Sequence, residues 1–424
     1  MKRTKKVYPV KDLPNIKEQI LHWVNHFSVC SFLDNHQYDS THHSVECIAA
    51  AGEICRITGP DTAKAIDAFY KTNQDWLFGH LSYEYNAKHL EGTQKKNQIH
   101  FSDAFFFRPD HILTLNNEWL TIESYSLLPE AIFEEIISTK RAKSNIDPIS
   151  ITAGMTKEKY IATIQQLQAH IQKGDCYEIN FCQEFHSQNA IVNPIALYLK
   201  LTELSPTPFA CYYKENNAHL ICASPERWLK KQGTQIISQP IKGTVKRALS
   251  DEVKDAQLKN ELFQSSKDRS ENVMVVDLVR NDFSRVCKAG TVKVEELFGI
   301  YSFPQVHQMI STISGQLMDN IGVNELVETG FPMGSMTGAP KKKVMELIHQ
   351  YEPIERGIFS GAVGYINPNK DFDFNVVIRS LLYNSQTQYL SYLVGSGITI
   401  YSNPELEYEE CLLKAKAMET VLGN

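Results

Sequence analysis

Consecutive β-strand patterns with few helices between them constrain this chain more than any other feature of its sequence. Seven such segments follow residue 150, at residues 177–185, 210–214, 219–223, 235–245, 357–366, 372–382 and 388–398. A doubly wound parallel sheet would need a helix between one strand and the next. The order of the patterns therefore predicts an α+β fold.

Helix signals lie on either side of these strands. Thr156 can cap a helix whose apolar side chains recur every three or four positions. Pro404 begins a second helix, which runs to about residue 422. The polar segment 142–148 is typical of a linker. We therefore expect an N-terminal region at residues 1–148 and a second region at residues 149–424.

The composition disfavours several classes of protein. The 43 basic and 49 acidic residues give a formal net charge of −6, without the concentrated basic charge that nucleic-acid binding needs. No apolar run reaches the roughly 20 residues of a membrane-spanning helix. Nine cysteines without a secretory signal indicate reduced thiols. We expect a cytoplasmic protein that binds neither nucleic acid nor membrane, with two to three domains at about 150 residues each.

Two positions carry side chains suited to nucleophilic or acid–base chemistry. Lys242 follows an apolar strand segment, where lost hydration would lower the pKa of a lysine and expose a nucleophilic amine. Glu226 follows a strand in a Ser-Pro turn beside Trp228, where a raised pKa would suit a general acid. The local sequence leaves two alternatives open: a lysine that reaches solvent, and an exposed glutamate that pairs with a nearby base.

Carboxylates at two further places could hold a cation. Glu271 lies in segment 267–282, where charged residues stand among apolar ones that are expected to be buried. Glu407, Glu410 and Lys414 occupy positions i, i+3 and i+7 and so share one face of the last helix. Carboxylate oxygens suit a hard divalent ion, and the lysine suits an anionic substrate. The alternatives are a structural ion-pair network at the first place and a solvated charged face at the second.

Two glycine-containing segments could present backbone N–H groups to an anion. Residues 331–341 form a turn that enters a helix, and residues 395–397 read Gly-Ser-Gly after a strand. The first segment lacks the spacing of a Walker A motif. Neither segment is specific by itself.

In combination these segments form an ordered set of motifs. The set is Gly174-Asp-Cys-Tyr, Ser224-Pro-Glu-Arg, Pro240-Ile-Lys-Gly-Thr, Asp268-Arg-Ser-Glu-Asn, Asp277-Leu-Val-Arg-Asn-Asp, Gly334-Ser-Met-Thr-Gly-Ala-Pro-Lys and the spacing from Glu410 to Lys414. From residue 152 to residue 418 the chain resembles the chorismate-utilising enzymes, which include anthranilate, aminodeoxychorismate, isochorismate and salicylate synthases. The resemblance implies a large sandwich of antiparallel sheets flanked by helices, with the N-terminal region intertwined with the rest.

The resemblance also implies roles for individual residues. Lys242 would attack C2 of chorismate and expel the C4 hydroxyl, which Glu226 would protonate, before ammonia attacks C4 and releases the lysine. Mg²⁺ would be held by Glu271 and Glu410, with Glu407 behind them. The carboxylates of the substrate would be bound by the side chains of Arg379 and Lys414 and by the backbone at Thr337, Gly338, Ser396 and Gly397.

Two positions separate the branches of the family. Aminodeoxychorismate synthases carry a lysine at the position of Lys242, where anthranilate synthases carry alanine, and the water-adding members carry a lysine base at the position of Glu178. The resemblance therefore favours aminodeoxychorismate synthase component I, which serves p-aminobenzoate and folate biosynthesis. Anthranilate synthase component I and a catalytically silent chorismate-binding homologue are the alternatives. The sequence has no glutaminase signature, so we expect the ammonia to come from a separate glutamine amidotransferase subunit.

Overall fold

Antiparallel strands and a smaller number of helices make up the fold. The structure is a computed structural model that describes residues 2–38, 42, 45–87, 95, 97–116, 118–139 and 146–423. Its helices are α1 (Leu13–Val24), α2 (Thr62–Thr72), α3 (Pro129–Ser138), α4 (Lys157–Gln172), α5 (Pro194–Leu204), α6 (Glu252–Gln264), α7 (Ser266–Ser284), α8 (Val323–Gly330), α9 (Lys341–Tyr351) and α10 (Pro404–Val421). No helix in this described part of the chain is long and apolar enough to cross a membrane.

The strands are distributed over the whole chain. They are β1 (Thr4–Pro9), β2 (Val29–Asp34), β3 (Cys47–Thr58), β4 (Leu77–Leu81), β5 (Ala104–Asn116), β6 (Trp119–Ser124), β7 (Thr152–Ala153), β8 (Glu178–Ser187), β9 (Phe209–Glu215), β10 (Ala218–Ser224), β11 (Arg227–Gln232), β12 (Gln235–Gln239), β13 (Ile241–Lys246), β14 (Lys293–Ser302), β15 (Val306–Gln316), β16 (Gly338–Ala339), β17 (Ala362–Ile366), β18 (Phe372–Asn375), β19 (Ser380–Asn384) and β20 (Tyr389–Ile398). All pairings among these strands are antiparallel. The predicted α+β class is confirmed.

The strands form two arms that meet at β5. One edge of β5 pairs with β3, and the first arm continues through β2, β9, β10, β19 and β20 to β8. The other edge pairs with β4, and the second arm continues through β17, β18, β11 and β12 to β15. The pairs β2–β9 and β4–β17 join strands from before and after residue 148. The division at residues 148 and 149 stays a prediction, and residues 142–145 of the predicted linker lie outside the described residues.

Two apolar cores join these arms and the helices. The first core contains side chains of both arms, such as Phe78 and Phe374 of the second arm and Tyr213 and Leu220 of the first. The second core packs the first arm against α1, α3, α4, α5 and α10. The arms thus face each other across apolar side chains, with helices outside them. This is the helix-flanked sandwich that the resemblance implied.

Three predicted strands differ from those observed. The segment 235–245 forms two strands, because Pro240 has no N–H to donate and separates β12 from β13. The segment 372–382 also forms two strands, since the chain leaves the sheet between them and Arg379 has a φ of 50°. The segment 357–366 is a strand only from Ala362 onward.

A buried ion pair fixes the backbone around β8. Arg356 donates to the carboxylate of Glu352 from Nη2 and Nε, over 2.6 and 2.8 Å. It also donates to the carbonyl oxygens of Asn180 and Met336, each over 2.7 Å. Glu352 in turn accepts the N–H of Cys182 over 2.8 Å. The pair therefore ties the segment after α9 to β8 and to the turn that contains Met336.

We predict that Arg356→Ala lowers the free energy of unfolding by about 3–5 kcal/mol, because it leaves the Glu352 carboxylate buried without its partner. Arg280→Ala is the matched control. Arg280 pairs with Asp277 at 2.7 Å, but 54% and 60% of the two side chains are exposed. Its loss should cost no more than about 1 kcal/mol. Denaturant unfolding measures both variants, and equally small losses would contradict the role of the buried pair.

Candidate active site

Lys242 and Glu178 form a buried ion pair between β13 and β8. The Nζ atom of Lys242 donates to Oε1 of Glu178 over 2.5 Å, and the two side chains are 10% and 3% exposed. Burial lowers the pKa of Lys242, but the charges of Glu178, Glu271 and Glu226 outweigh it and raise that pKa above its usual value. Lys242 is therefore a buried ammonium group rather than a lysine that reaches solvent. The predicted lowering of its pKa to give a neutral amine is wrong, because the neighbouring carboxylates outweigh burial.

Two glycines make room for this ion pair. A Cβ atom at Gly397, on β20, would lie 2.7 Å from the carboxylate oxygen and 3.0 Å from the ammonium nitrogen of the pair. Gly243 has a φ of 97°, and a Cβ atom there would lie 3.0 Å from the side chain of Asp268. The glycine after Lys242 thus lets the first turn of α7 approach β13. Glu271, about one turn further along α7, is brought toward the lysine in this way.

Glu226 is a buried acid beside the same strand. It lies between β10 and β11 and is 3% exposed, so the alternative of an exposed turn glutamate is wrong. Burial raises its pKa to about 7, although hydrogen bonds from Ser335 and from the Ile241 N–H, together with the charge of Lys242, act in the opposite direction. A pKa in this range lets Glu226 keep a proton much closer to neutral pH than an exposed glutamate does, as a general acid requires. A cleft lined mainly by apolar side chains borders Glu226 and Ser335.

Three carboxylates from two helices surround the ammonium group of Lys267. Its Nζ atom lies 3.4 Å from Glu407 Oε1, 3.9 Å from Glu271 Oε1 and 3.9 Å from Glu410 Oε2. Burial raises the pKa of Glu271 to about 7. The charge of Lys414 holds the pKa of Glu410 below its usual value. The three glutamates proposed from the sequence thus do converge, and a lysine that the sequence analysis did not single out balances part of their charge.

This carboxylate group fits a divalent cation. Oε1 of Glu271 and Oε2 of Glu407 are buried and accept no hydrogen bond within the described residues. No three His, Cys, Asp or Glu side chains in that part of the chain are grouped closely enough to hold a metal ion by themselves. Mg²⁺ commonly takes one or two protein carboxylates and completes its shell with water and substrate oxygens. A divalent ion at these residues would take its remaining ligands from water and substrate.

The two predicted backbone segments flank β8. Gly338 pairs with Ile179, has a φ of 143°, and would place a Cβ atom 2.0 Å from the carbonyl oxygen of Glu178. The buried Thr337 hydroxyl donates to the carbonyl oxygen of Met333 over 3.1 Å, so its side chain is already engaged. Position 338 therefore requires a glycine, because the backbones of β16 and β8 lie too close together there for a side chain.

On the other side of β8, Ser396 pairs with Phe181 and Gly397 pairs with Asn180. Side chains alternate along a strand, so the Ser396 hydroxyl lies on the opposite face of the sheet from Glu178. In this segment Gly397 contacts the Lys242–Glu178 ion pair, whereas Ser396 can contribute to the site only through its backbone atoms.

The two cations predicted to bind substrate differ in their present partners. Lys414 donates to Glu410 over 2.8 Å and to the carbonyl oxygen of Gly395 over 2.9 Å. Arg379 is half-buried, burial lowers its pKa, and its guanidinium has no hydrogen bond or ion pair with other described residues. Arg379 is thus open to an anion, whereas Lys414 must exchange a partner. No contact in the described structure joins Arg379 to the Lys242–Glu178 pair.

Two supporting residues were missed by reasoning from the sequence. Lys267 precedes Glu271 by four positions, and this i, i+4 spacing on a helix was a usable signal. Arg356 has Glu352 at the same i, i+4 spacing, but the pair lies after the end of α9, and its partners at Asn180 and Met336 are distant in sequence.

The model of the chorismate binding enzyme family matches residues 29–420. Aminodeoxychorismate synthase component 1 of Bacillus subtilis is 31% identical over 367 residues, which cover 82% of this chain and 77% of that protein. The probable chloroplastic aminodeoxychorismate synthase of Oryza sativa subsp. japonica is 40% identical over 271 residues, or 63% of this chain. The matched region is 30% of the rice protein, so the chain spans less than a third of that relative.

A solved structure shows the same fold. The menaquinone-specific isochorismate synthase of Escherichia coli superposes with a TM-score of 0.80 at 17% identity, over 99% of this chain and 94% of that one. The family match covers most of the chain, and the structural match extends over nearly all of it. The chain belongs to the family of chorismate binding enzymes.

Proposed function

We propose that this protein converts chorismate and ammonia to 4-amino-4-deoxychorismate, the reaction of aminodeoxychorismate synthase component I. The observation that carries this proposal is the buried Lys242, which donates to the carboxylate of Glu178 and acts by its charge on the acid Glu226. The Bacillus subtilis and rice relatives, both named for this activity, support it. The product would supply p-aminobenzoate and folate biosynthesis.

The residues suit a double displacement. Exchange of the C4 hydroxyl for an amine with retained stereochemistry needs two displacements. In the first, the Lys242 amine bonds to C2, the ring double bonds shift, and the C4–O bond breaks as Glu226 gives its proton to the departing hydroxyl. In the second, ammonia bonds to C4 and the bond between C2 and the lysine nitrogen breaks. Glu226 then recovers a proton from the new amino group.

The carboxylates of the substrate require positive charge. Mg²⁺ held by Glu271 and Glu410, with Glu407 beside them, would supply electrostatic stabilisation of the ring carboxylate. Arg379 offers the planar, two-pronged donor that pairs best with a second carboxylate. Lys414 would add a third cation once it exchanges its present partner. The backbone at residues 337–338 and 396–397 would complete the binding surface.

The ammonia would come from a separate glutamine amidotransferase subunit. The chain carries no glutaminase signature. The Bacillus subtilis relative is named component 1, which supports the existence of a second component.

The identity of the product tests the proposal. Incubation with chorismate, Mg²⁺ and an ammonium salt is expected to give 4-amino-4-deoxychorismate, which chromatography with mass spectrometry identifies. Anthranilate would overturn the proposal in favour of anthranilate synthase component I. No product would favour a catalytically silent homologue.

Lys242→Ala is expected to lower turnover by more than about 10³-fold, as loss of a nucleophile does. Lys246→Ala is the matched control, since Lys246 is exposed on the same strand. Steady-state kinetics with saturating ammonium measures both variants. Unchanged turnover in Lys242→Ala would rule out a covalent role for the lysine.

Gly397→Ala should preserve the fold but lower kcat by about 10²-fold, because the new methyl group displaces the ends of the Lys242 and Glu178 side chains. Gly395→Ala is the contrasting variant. A Cβ atom there would lie 2.3 Å from the backbone oxygen of Phe181, so this change should lower Tm instead. Thermal unfolding and kcat are measured together. A Tm loss in Gly397→Ala equal to that in Gly395→Ala would contradict the assignment.

Glu410→Gln should weaken Mg²⁺ binding by at least about tenfold, measured by isothermal titration calorimetry in the absence of substrate. Glu409→Gln, an exposed neighbour on the same helix, should leave the affinity unchanged. Equal affinities in the two variants would show that Mg²⁺ binds elsewhere.

A further inference from the structure

Lys242, the nucleophile of the proposed reaction, is held in its protonated form, which cannot attack carbon. An amine attacks carbon through its lone pair, and the ammonium form has none. Surrounding carboxylates raise the pKa of Lys242, so at neutral pH the free protein holds it as ammonium. Attack on C2 therefore requires a nearby group that accepts a proton from Nζ.

Glu178 is the group placed to accept that proton. Its Oε1 atom lies 2.5 Å from Lys242 Nζ, within the range in which a base can take a proton directly. Both side chains are almost fully enclosed by protein. Gly397 and Gly338 pack against Glu178 so closely that neither position has room for a Cβ atom. Bulk water has little access to the pair, so the proton cannot readily leave by another route.

Other charged groups also act on Lys242. They come from the elements packed around β13 and are Glu178 on β8, Glu226 between β10 and β11, Glu271 on α7, and Glu410 on α10. Asp268 of α7 lies beside Gly243, the residue after the lysine. Glu226 must keep its proton for the leaving hydroxyl, and Glu271 and Glu410 face Lys267. No carboxylate other than Glu178 lies within 4.0 Å of Nζ in the described residues.

We propose that Glu178 is the general base that deprotonates Lys242, an inference that rests on the proposed function. The proton moves from Nζ to the Glu178 carboxylate, giving a neutral amine and a carboxylic acid. The amine bonds to C2 while the C4–O bond breaks, and the hydroxyl leaves as water with the proton of Glu226. When ammonia has displaced the lysine, the neutral amine takes its proton back from Glu178. The cycle consumes chorismate and ammonia and releases the amino product and one water.

Formation of the lysine adduct without ammonia tests this role. Chorismate and Mg²⁺ are mixed with the protein, and intact-mass spectrometry follows the addition of one chorismate less one water, with peptide mapping to Lys242. Glu178→Gln keeps the size of the side chain and its acceptor oxygen but cannot take a proton. Glu184→Gln, a change of another buried glutamate of β8, is the matched control.

Glu178→Gln should slow adduct formation at pH 7 by about 10²-fold or more. Its rate should rise about tenfold per pH unit, since hydroxide must then deprotonate the lysine. If Glu178 merely holds Lys242 protonated, the amide would lower the lysine pKa and adduct formation would become faster. A faster or unchanged rate therefore overturns the proposal.

A second variant covers the case in which Glu178→Gln does not fold. Glu178→Asp retains a carboxylate, and its adduct rate should be lower without acquiring the steep pH dependence; a steep dependence overturns the proposal.

The wild-type protein distinguishes failure of the proposed function from failure of the role of Glu178. If it forms no adduct, the nucleophilic role of Lys242 fails and this inference fails with it. If it forms the adduct and Glu178→Gln is unimpaired, this inference alone fails.

Discussion

The buried ion pair between Arg356 and Glu352 is the interaction on which the geometry of the site depends. It satisfies backbone groups of β8, the strand that carries Glu178, and of the turn before β16, which pairs with β8. The hydrogen bond from Lys242 to Glu178 is therefore positioned by charges that are themselves enclosed by protein. Such a pair contributes little net stability compared with an apolar replacement, but losing one partner is costly. Its value lies in fixing two backbones at once.

The site also carries more carboxylates than lysines, and this imbalance explains several of its properties. Burial raises the pKa of both Glu226 and Glu271 to about 7, so part of the negative charge is removed by protonation near neutral pH. Lys242 and Lys267 stay charged because carboxylates surround them. A substrate with two carboxylates can enter such a site only if further positive charge accompanies it. A divalent ion would provide that charge together with Arg379, whose guanidinium has no partner among the described residues.

The sequence predicted the fold class and several side chains that the structure brings together around Lys242 and Lys267, and its failures have physical causes. Ordered motifs located Lys242, Glu226, Glu271 and Glu410, because each motif keeps its residues within a few positions of one another. Strands β14 and β15 were not predicted. The first of these is largely exposed, its register with β15 shifts twice, and so it lacks the alternation of apolar and polar side chains that marks a strand. The role of Arg356 rests on contacts between distant residues, which local patterns do not record.

The position of α10 along the chain has a consequence for the order in which the site is assembled during folding. Glu410 and Lys414 stand on α10, and the residue after α10 accepts a hydrogen bond from the N–H of Ile149, where the second region of the chain begins. The charged groups around Lys242 are thus drawn from β8 through α10, almost the whole of that region. Because β20 precedes α10 along the chain, the described strands can pair while the site still lacks Glu410 and Lys414. The carboxylates around Lys267 therefore come together only when α10 packs against the sheet.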